Sequence, residues 1–155
     1  MTLNLMFQYP DLYHVGMSVA PVPNLRLYDT IYEERYMGLP DENPEGYRLG
    51  SPITHARNLK GDLLIVHGTA DDNVHYEGVV ELIDELICWN KQFSIMVYPN
   101  RRHSILERMN SRRHLFTLLT RFLVEHCPPG PREPSSSGEE RTSCTSERSK
   151  SPTDR

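Results

Sequence analysis

The sequence predicts an α/β fold with a parallel sheet, because strand and helix patterns alternate between residues 62 and 123. The continuous apolar run DLLIVH (62–67) is typical of a strand covered on both faces. FSIMVY (93–98) predicts a second buried strand. A helical apolar face follows each strand. Its residues are Val79, Leu82, Ile83, Leu86 and Ile87 after the first strand, and Leu115, Leu118, Leu119, Phe122 and Leu123 after the second.

The earlier part of the chain predicts shorter elements. TLNLMFQY (2–9) has a helical pattern that ends at Pro10, and HVGMSVA (14–20) is typical of a short strand. NLRLYDTIYEERYMG (24–38) again has helical spacing. Residues 39–56 indicate mostly turn and loop, with a helix start at Ser51 and Pro52.

Composition divides the chain into two regions. Hydrophobic residues make up 37% of the 155 residues, and nearly all of them precede Pro128. Residues 128–155 are rich in Pro, Ser, Glu and Arg and contain nothing that could form a core, so they predict a disordered tail. We therefore expect one partial α/β domain over residues 1–127 and a tail over residues 128–155.

Charge and composition argue against nucleic-acid binding, a membrane span and a zinc site. The net charge of −4 and the pI near 6.0 favour no nucleic-acid partner. No apolar run approaches the roughly 20 residues that span a bilayer, and the N-terminus lacks the basic region of a secretory signal. The three cysteines have no CxxC spacing, so they indicate neither a disulfide framework nor a zinc site. The cellular compartment stays open.

Polar side chains follow both predicted strands. Asp71, Asp72 and Asn73 come after the first strand, and His103 comes after the second. An Asp and then a His, each after a strand, is the order of the last two members of the Ser–Asp–His triad in α/β-hydrolases. A buried carboxylate holds the histidine in one tautomer, so that its other nitrogen can accept the serine proton. Asp71 or Asp72, with His103, is therefore a candidate acid–base pair.

Structural roles are the alternatives at these positions. An aspartate after a strand is also a common turn residue, and Asn73 suits the cap of the following helix. His67 and His75 are interpreted as hydrogen-bonded structural residues. His67, Asp71 and His75 together are also a candidate metal site, although their spacing matches no known ligand motif.

Longer motifs carry a resemblance to a known family. SVAPV, YDTIYEERYMGLP and LLIVHGTADDNVHY, with the later histidine, resemble the C-terminal catalytic domain of the dipeptidyl peptidase IV branch of the prolyl oligopeptidase family. The resemblance covers residues 1 to about 127. It implies a partial α/β-hydrolase fold, with C-terminal parallel strands and flanking helices. It also implies that Asp71 is the triad acid and His103 the base.

The resemblance also implies a substrate pocket. Tyr28 and Tyr32 match its aromatic walls, Val22 and Val74 its apolar members, and Asn73 the side chain that contacts the substrate carbonyl. Such walls suit a flat proline ring. Without the motif, the two tyrosines would be interpreted as a helical face packed on the core.

The sequence departs from the family pattern in one decisive place. The nucleophile motif Gly-Trp-Ser-Tyr-Gly-Gly, expected just before Met1, is absent, and no G-x-S-x-G occurs in the 155 residues. The residue after His103 is Ser104, where the family usually has glycine, and Arg101 and Arg102 precede it.

We therefore expect the C-terminal portion of a serine dipeptidyl peptidase. Its substrate would be a peptide with proline or alanine at the second position, and no metal or cofactor is implied. The chain alone is expected to be inactive. The alternative is a non-catalytic, hydrolase-like module that acts through interaction or homodimerisation, with the helix predicted at residues 112–126 as its surface.

Overall fold

Three parallel strands form one sheet in a computed structural model that describes residues 1–128 and residue 130. They are β1 (Val15–Val19), β2 (Asp62–Gly68) and β3 (Ser94–Tyr98), in the order β1-β2-β3. The predicted α/β fold with a parallel sheet is confirmed.

Five α-helices accompany the sheet. They are α1 (Thr2–Gln8), α2 (Thr30–Met37), α3 (Pro44–Gly50), α4 (Tyr76–Cys88) and α5 (Ser111–His126). Two 3-10 helices cover Leu25–Leu27 and Pro52–Asn58. The helices predicted from the apolar spacing after β2 and β3 are therefore confirmed as α4 and α5, and the helix start at Ser51 and Pro52 leads into a 3-10 helix.

Side-chain caps explain two corrections in the first half of the chain. The Oδ1 atom of Asp29 accepts a hydrogen bond from the amide of Ile31 at 2.8 Å, so α2 begins only at Thr30. The prediction of mostly turn and loop for residues 39–56 is wrong at α3. There Asn43 Oδ1 accepts from the amide of Gly46 at 3.1 Å, and Pro44 occupies the first helical turn, where its missing N–H costs nothing.

The core lies on both faces of β2, as the continuous apolar run predicts. Leu63 and Ile65 pack on one face with side chains of α1 and α4, whereas Leu64 and Val66 pack on the other with α5. The first cluster consists of Leu3, Met6, Phe7, Ala56, Leu59, Leu63, Ile65, Val79, Leu82 and Leu86. The second consists of Leu64, Val66, Tyr98, Ile105, Leu115 and Phe122.

The predicted apolar faces are wider than the observed ones. Ile87 in α4 is 62% exposed and Leu123 in α5 is 45% exposed. Each lies eight residues after the first apolar residue of its face, which turns it about 80° around the helix. The prediction that β3 is fully buried is also wrong. Ser94 and Ile95 are exposed, because β3 lies at the edge of the described sheet.

Residues 131–155 lie outside the described residues, and with them nearly all of the predicted tail. None of the helices in the described part of the chain combines the length and the apolar character needed to cross a membrane.

Candidate active site

The loops that follow β2 and β3 are joined by hydrogen bonds. The amide of Thr69 donates to the carbonyl of Tyr98 at 3.0 Å, and the amide of Ala70 donates to the carbonyl of Arg101 at 3.1 Å. In return, the amide of Asn100 donates to Thr69 Oγ1 at 2.8 Å. The two carboxyl ends therefore form one connected surface, where open α/β sheets place their sites.

Gly68 allows this close approach. A β-carbon at this position would collide with the backbone carbonyl of Arg101. The glycine is therefore required by the space between the two loops.

Asp71 contacts His103 across this surface. Asp71 Oδ2 lies 2.9 Å from His103 Nδ1, and the Asp71 side chain is fully buried while that of His103 is 45% exposed. Asp71 Oδ1 accepts from the amides of Asn73 at 3.0 Å and Val74 at 2.9 Å. This turn directs the other carboxylate oxygen towards His103.

The surroundings of Asp71 favour its ionised form. Burial alone would raise the pKa of this carboxyl group, but the hydrogen bonds from His103 and from the two amides outweigh burial and hold the pKa below its usual value. In the described part of the chain, His103 Nε2 has no hydrogen-bond partner. The arrangement can hold one imidazole nitrogen while leaving the other open to a reactant.

Asp72 is not part of this pair. Its carboxylate is exposed and lies 3.6 Å from the guanidinium of Arg102. The side chain of Arg101 donates to the Pro99 carbonyl at 2.6 Å and to Ser111 Oγ at 3.2 Å. Of the two aspartates, the structure therefore brings to His103 the one that the family resemblance implies, Asp71.

His67 contacts the same carboxylate from within the protein. It is fully buried at the end of β2, with Nε2 at 2.9 Å from the Val74 carbonyl and 3.2 Å from Asp71 Oδ2. Burial lowers the pKa of its ring. His67 is hydrogen-bonded, as the sequence predicts, but its contact with Asp71 is not predicted. The only sequence signal is its position four residues before that aspartate.

Ile105 anchors the loop that carries His103, and the sequence reasoning missed it. It is fully buried with Tyr98 and Leu115, although it adopts a φ of +53°. A β-branched residue is strained in this left-handed region, so burial must hold it there. The only signal in the sequence is the apolar pair Ile105 and Leu106 within a mostly polar loop.

The residues of the expected pocket partly gather beside Asp71. Tyr28 Oη donates to Asn73 Oδ1 at 3.2 Å, and the rings of Tyr28 and Tyr32 meet edge to face at 5.8 Å. Tyr32 is 55% exposed, so its ring is not packed in the core. Val74 is buried beneath the turn, and Val22 lies half-buried in the loop after β1.

Two alternatives from the sequence are wrong. Asn73 does not cap α4, because the helix begins at Tyr76 and its N-cap residue is His75, which makes no side-chain cap bond. Within residues 1–128 and 130, no three His, Cys, Asp or Glu side chains are arranged to hold a metal ion. The site of His67, Asp71 and His75 does not form, since His75 is exposed while the other two are buried.

The sequence profile of the prolyl oligopeptidase family matches residues 1–129. The chain belongs to the prolyl oligopeptidase family. Among relatives, it is 40% identical over 121 residues to the probable dipeptidyl-aminopeptidase B of Talaromyces marneffei, covering 76% of this chain and 13% of the relative. It is 37% identical over 117 residues to dipeptidyl peptidase 4 of Sus scrofa, covering 74% of this chain and 15% of the relative.

Solved structures of the family agree with the fold. The crystal structure of Porphyromonas gingivalis dipeptidyl peptidase 4 matches 81% of this chain and 18% of its own, with a TM-score of 0.78 and 38% identity. The sheet and its helices are therefore part of an α/β-hydrolase fold. This member of the prolyl oligopeptidase family spans about one seventh of the length of the curated relatives named above.

Proposed function

We propose that this chain supplies the acid and the base of the catalytic triad in a serine dipeptidyl peptidase, Asp71 being the acid and His103 the base. The observation that carries the proposal is the 2.9 Å contact between buried Asp71 Oδ2 and His103 Nδ1. An exposed histidine held by a buried carboxylate is the arrangement that general-base catalysis by imidazole needs.

The chemistry follows from the two ring nitrogens. With Nδ1–H donated to Asp71, the neutral ring presents a lone pair on Nε2 to a serine hydroxyl. His103 takes the hydroxyl proton as the serine attacks the scissile carbonyl, and then gives that proton to the leaving amine. Asp71 remains a carboxylate throughout and stabilises the transient imidazolium, in keeping with its lowered pKa.

The pocket residues beside Asp71 and His103 would bind the substrate. Because Asn73 Oδ1 accepts from Tyr28, the amide nitrogen of Asn73 remains to donate to a substrate carbonyl. The rings of Tyr28 and Tyr32 offer an aromatic wall for proline or alanine at the second position of the substrate. The names of the relatives support a substrate from which a dipeptide is removed. Val22 and Val74 would complete the apolar side of the pocket.

A chimera tests the proposal. The 155 residues contain no G-x-S-x-G motif, so we expect the purified chain not to hydrolyse a Xaa-Pro chromogenic amide. Residues 1–127 would replace the matching segment of Porphyromonas gingivalis dipeptidyl peptidase 4. We expect this chimera to cleave the amide, and His103→Ala within it to lower kcat by about 10³–10⁶-fold.

The control is His14→Ala, since His14 is an exposed histidine just before β1, at the opposite end of the sheet from the site. It should leave kcat unchanged. A chimera that melts like its host yet lacks activity would refute the proposal, as would activity that survives His103→Ala.

A second candidate function is an interaction or dimerisation module. It is favoured by exposed apolar side chains on α5, where Phe116 is 56% and Val124 is 69% exposed. Sedimentation of the purified chain should then show a dimer that Val124→Glu dissociates. A monomer at all concentrations would exclude this candidate.

A further inference from the structure

We propose that His67 is a positioning residue for the catalytic acid. Its neutral ring places a polar N–H group 3.2 Å from Asp71 Oδ2 and so holds the oxygen that orients His103. The inference rests on the proposed function, because it assigns His67 a role relative to that acid–base pair.

Hydrogen-bond chemistry settles where the proton of His67 lies. Nε2 is 2.9 Å from the carbonyl oxygen of Val74, which can only accept. Nε2 therefore carries the hydrogen. The same atom lies 3.2 Å from Asp71 Oδ2, so the hydrogen that it donates to the Val74 carbonyl also lies beside the carboxylate.

The other nitrogen keeps the ring neutral. His67 Nδ1 is buried and has no hydrogen-bond partner among the residues that the structure describes. A second proton on Nδ1 would therefore be a buried donor without an acceptor, which is costly. The titratable groups facing the ring are Asp71, His103 beyond it, and Tyr76, whose ring meets that of His67 edge-on at 5.6 Å. Burial outweighs the attraction of Asp71, and the pKa of His67 is lowered.

Polar groups surround both oxygens of the Asp71 carboxylate. Oδ1 accepts from two backbone amides, and Oδ2 faces two imidazoles, His67 from inside and His103 from the surface. A carboxylate offers about four acceptor positions. Without the His67 ring, Oδ2 contacts His103 alone, and only the two amides on Oδ1 restrain the carboxylate from inside the protein.

Nitrogen-15 NMR of the imidazoles in the full 155-residue chain tests this role without any substrate. In the unsubstituted chain, we expect His67 to carry its proton on Nε2 and to remain neutral at about pH 7.5. We expect neutral His103 to be mostly protonated on Nδ1. A His67 that carries its proton on Nδ1, or whose pKa in the folded chain lies above 6.5, would overturn the proposal.

Two substitutions separate positioning from simple packing. His67→Leu removes the donor, and we expect the ratio of the Nδ1- to the Nε2-protonated tautomer of His103 to fall about threefold to tenfold, the order expected for weakening one hydrogen bond to a charged group. His67→Gln places an amide N–H near the former Nε2 and should restore the ratio. If His67→Leu fails to fold, His67→Asn replaces it, since its amide is too short to reach Asp71.

The control is His14→Leu, at an exposed position away from the site, which should leave the ratio unchanged. An unchanged or increased ratio in the donor-free variant refutes the positioning role, even where the chimera is active. An inactive chimera with the expected tautomer shift would instead refute the proposed activity alone.

Discussion

Asp71 Oδ2 lies 2.9 Å from His103 Nδ1, although 32 residues of chain separate the two. The contact exists because β2 and β3 are neighbours in the sheet and end in register, Gly68 beside Tyr98. The proposed acid and base thus come from two different loops, and the sheet sets the distance between them.

Asp71→Asn should remove most of the activity of the chimera. Asparagine keeps the shape of the side chain but can hold His103 in the wrong tautomer, so we expect kcat to fall by about 10⁴-fold with little change in KM. Asp72→Asn is the matched control, because Asp72 is exposed and only pairs with Arg102 at 3.6 Å. Equal losses in steady-state kinetics would contradict the assignment of Asp71.

Gly68→Ala should destabilise the chain by about 1–3 kcal/mol, since the new β-carbon would collide with the Arg101 carbonyl and push the two loops apart. Gly78→Ala in α4 is the control. Its β-carbon would lie 3.4 Å from Pro23 Cδ, an ordinary contact, and alanine favours the helix by up to about 1 kcal/mol. Urea unfolding measures both changes, and a tolerated Gly68→Ala would argue against the tight loop contact.

Ile105→Ala should cost about 2–5 kcal/mol, because it removes a fully buried side chain from the second core cluster. The neighbouring Leu106 is 51% exposed, so Leu106→Ala should change the free energy of unfolding by less than about 0.5 kcal/mol. Denaturant titrations distinguish the two. Similar losses would show that Ile105 does not anchor the loop of His103.

Tyr28→Phe should affect substrate binding more than folding. It removes the exposed 3.2 Å hydrogen bond to Asn73, so we expect less than about 1 kcal/mol of destabilisation. In the chimera, Asn73 would lose its fixed orientation, and KM should rise about twofold to tenfold. An unchanged KM would mean that Asn73 does not need Tyr28.

Lowering the pH should reduce the free energy of unfolding in two separate pH ranges, one for His67 and one for Asp71. The pKa of buried His67 is lowered from 6.5, so below that value the unfolded chain binds a proton that the folded chain does not, and the free energy of unfolding falls. The pKa of Asp71 is lowered from 3.8, and its contribution is lost only as the pH falls below that value and through the folded pKa.

Urea unfolding at several values between about pH 7 and about pH 5 tests the His67 range. His67→Gln should show a flatter dependence of the free energy of unfolding than the unsubstituted chain. Parallel curves for the two proteins would contradict a buried, neutral His67.

Strand and helix periodicity predicted most of the fold. The apolar run of β2 and the spacing in α4 and α5 reflect burial against the sheet, which repeats along each element. The sequence did not predict α3, because the Asn43-Pro44 pair that begins it is also typical of turns and the helix is only seven residues long. The width of each helical face was overestimated at Ile87 and Leu123, since periodicity does not show where the neighbouring element ends.

The sequence by itself determined the order of the elements, the candidates Asp71 and His103, and the family resemblance, because these depend on residue type and local spacing. Only the tertiary structure showed that Asp71 contacts His103 while Asp72 pairs with Arg102, that His67 lies behind Asp71, and that Ile105 and Gly68 hold the two loops together. These relationships join residues of different loops and strands. Their distances follow from sheet register and side-chain packing, which local spacing along the chain does not encode.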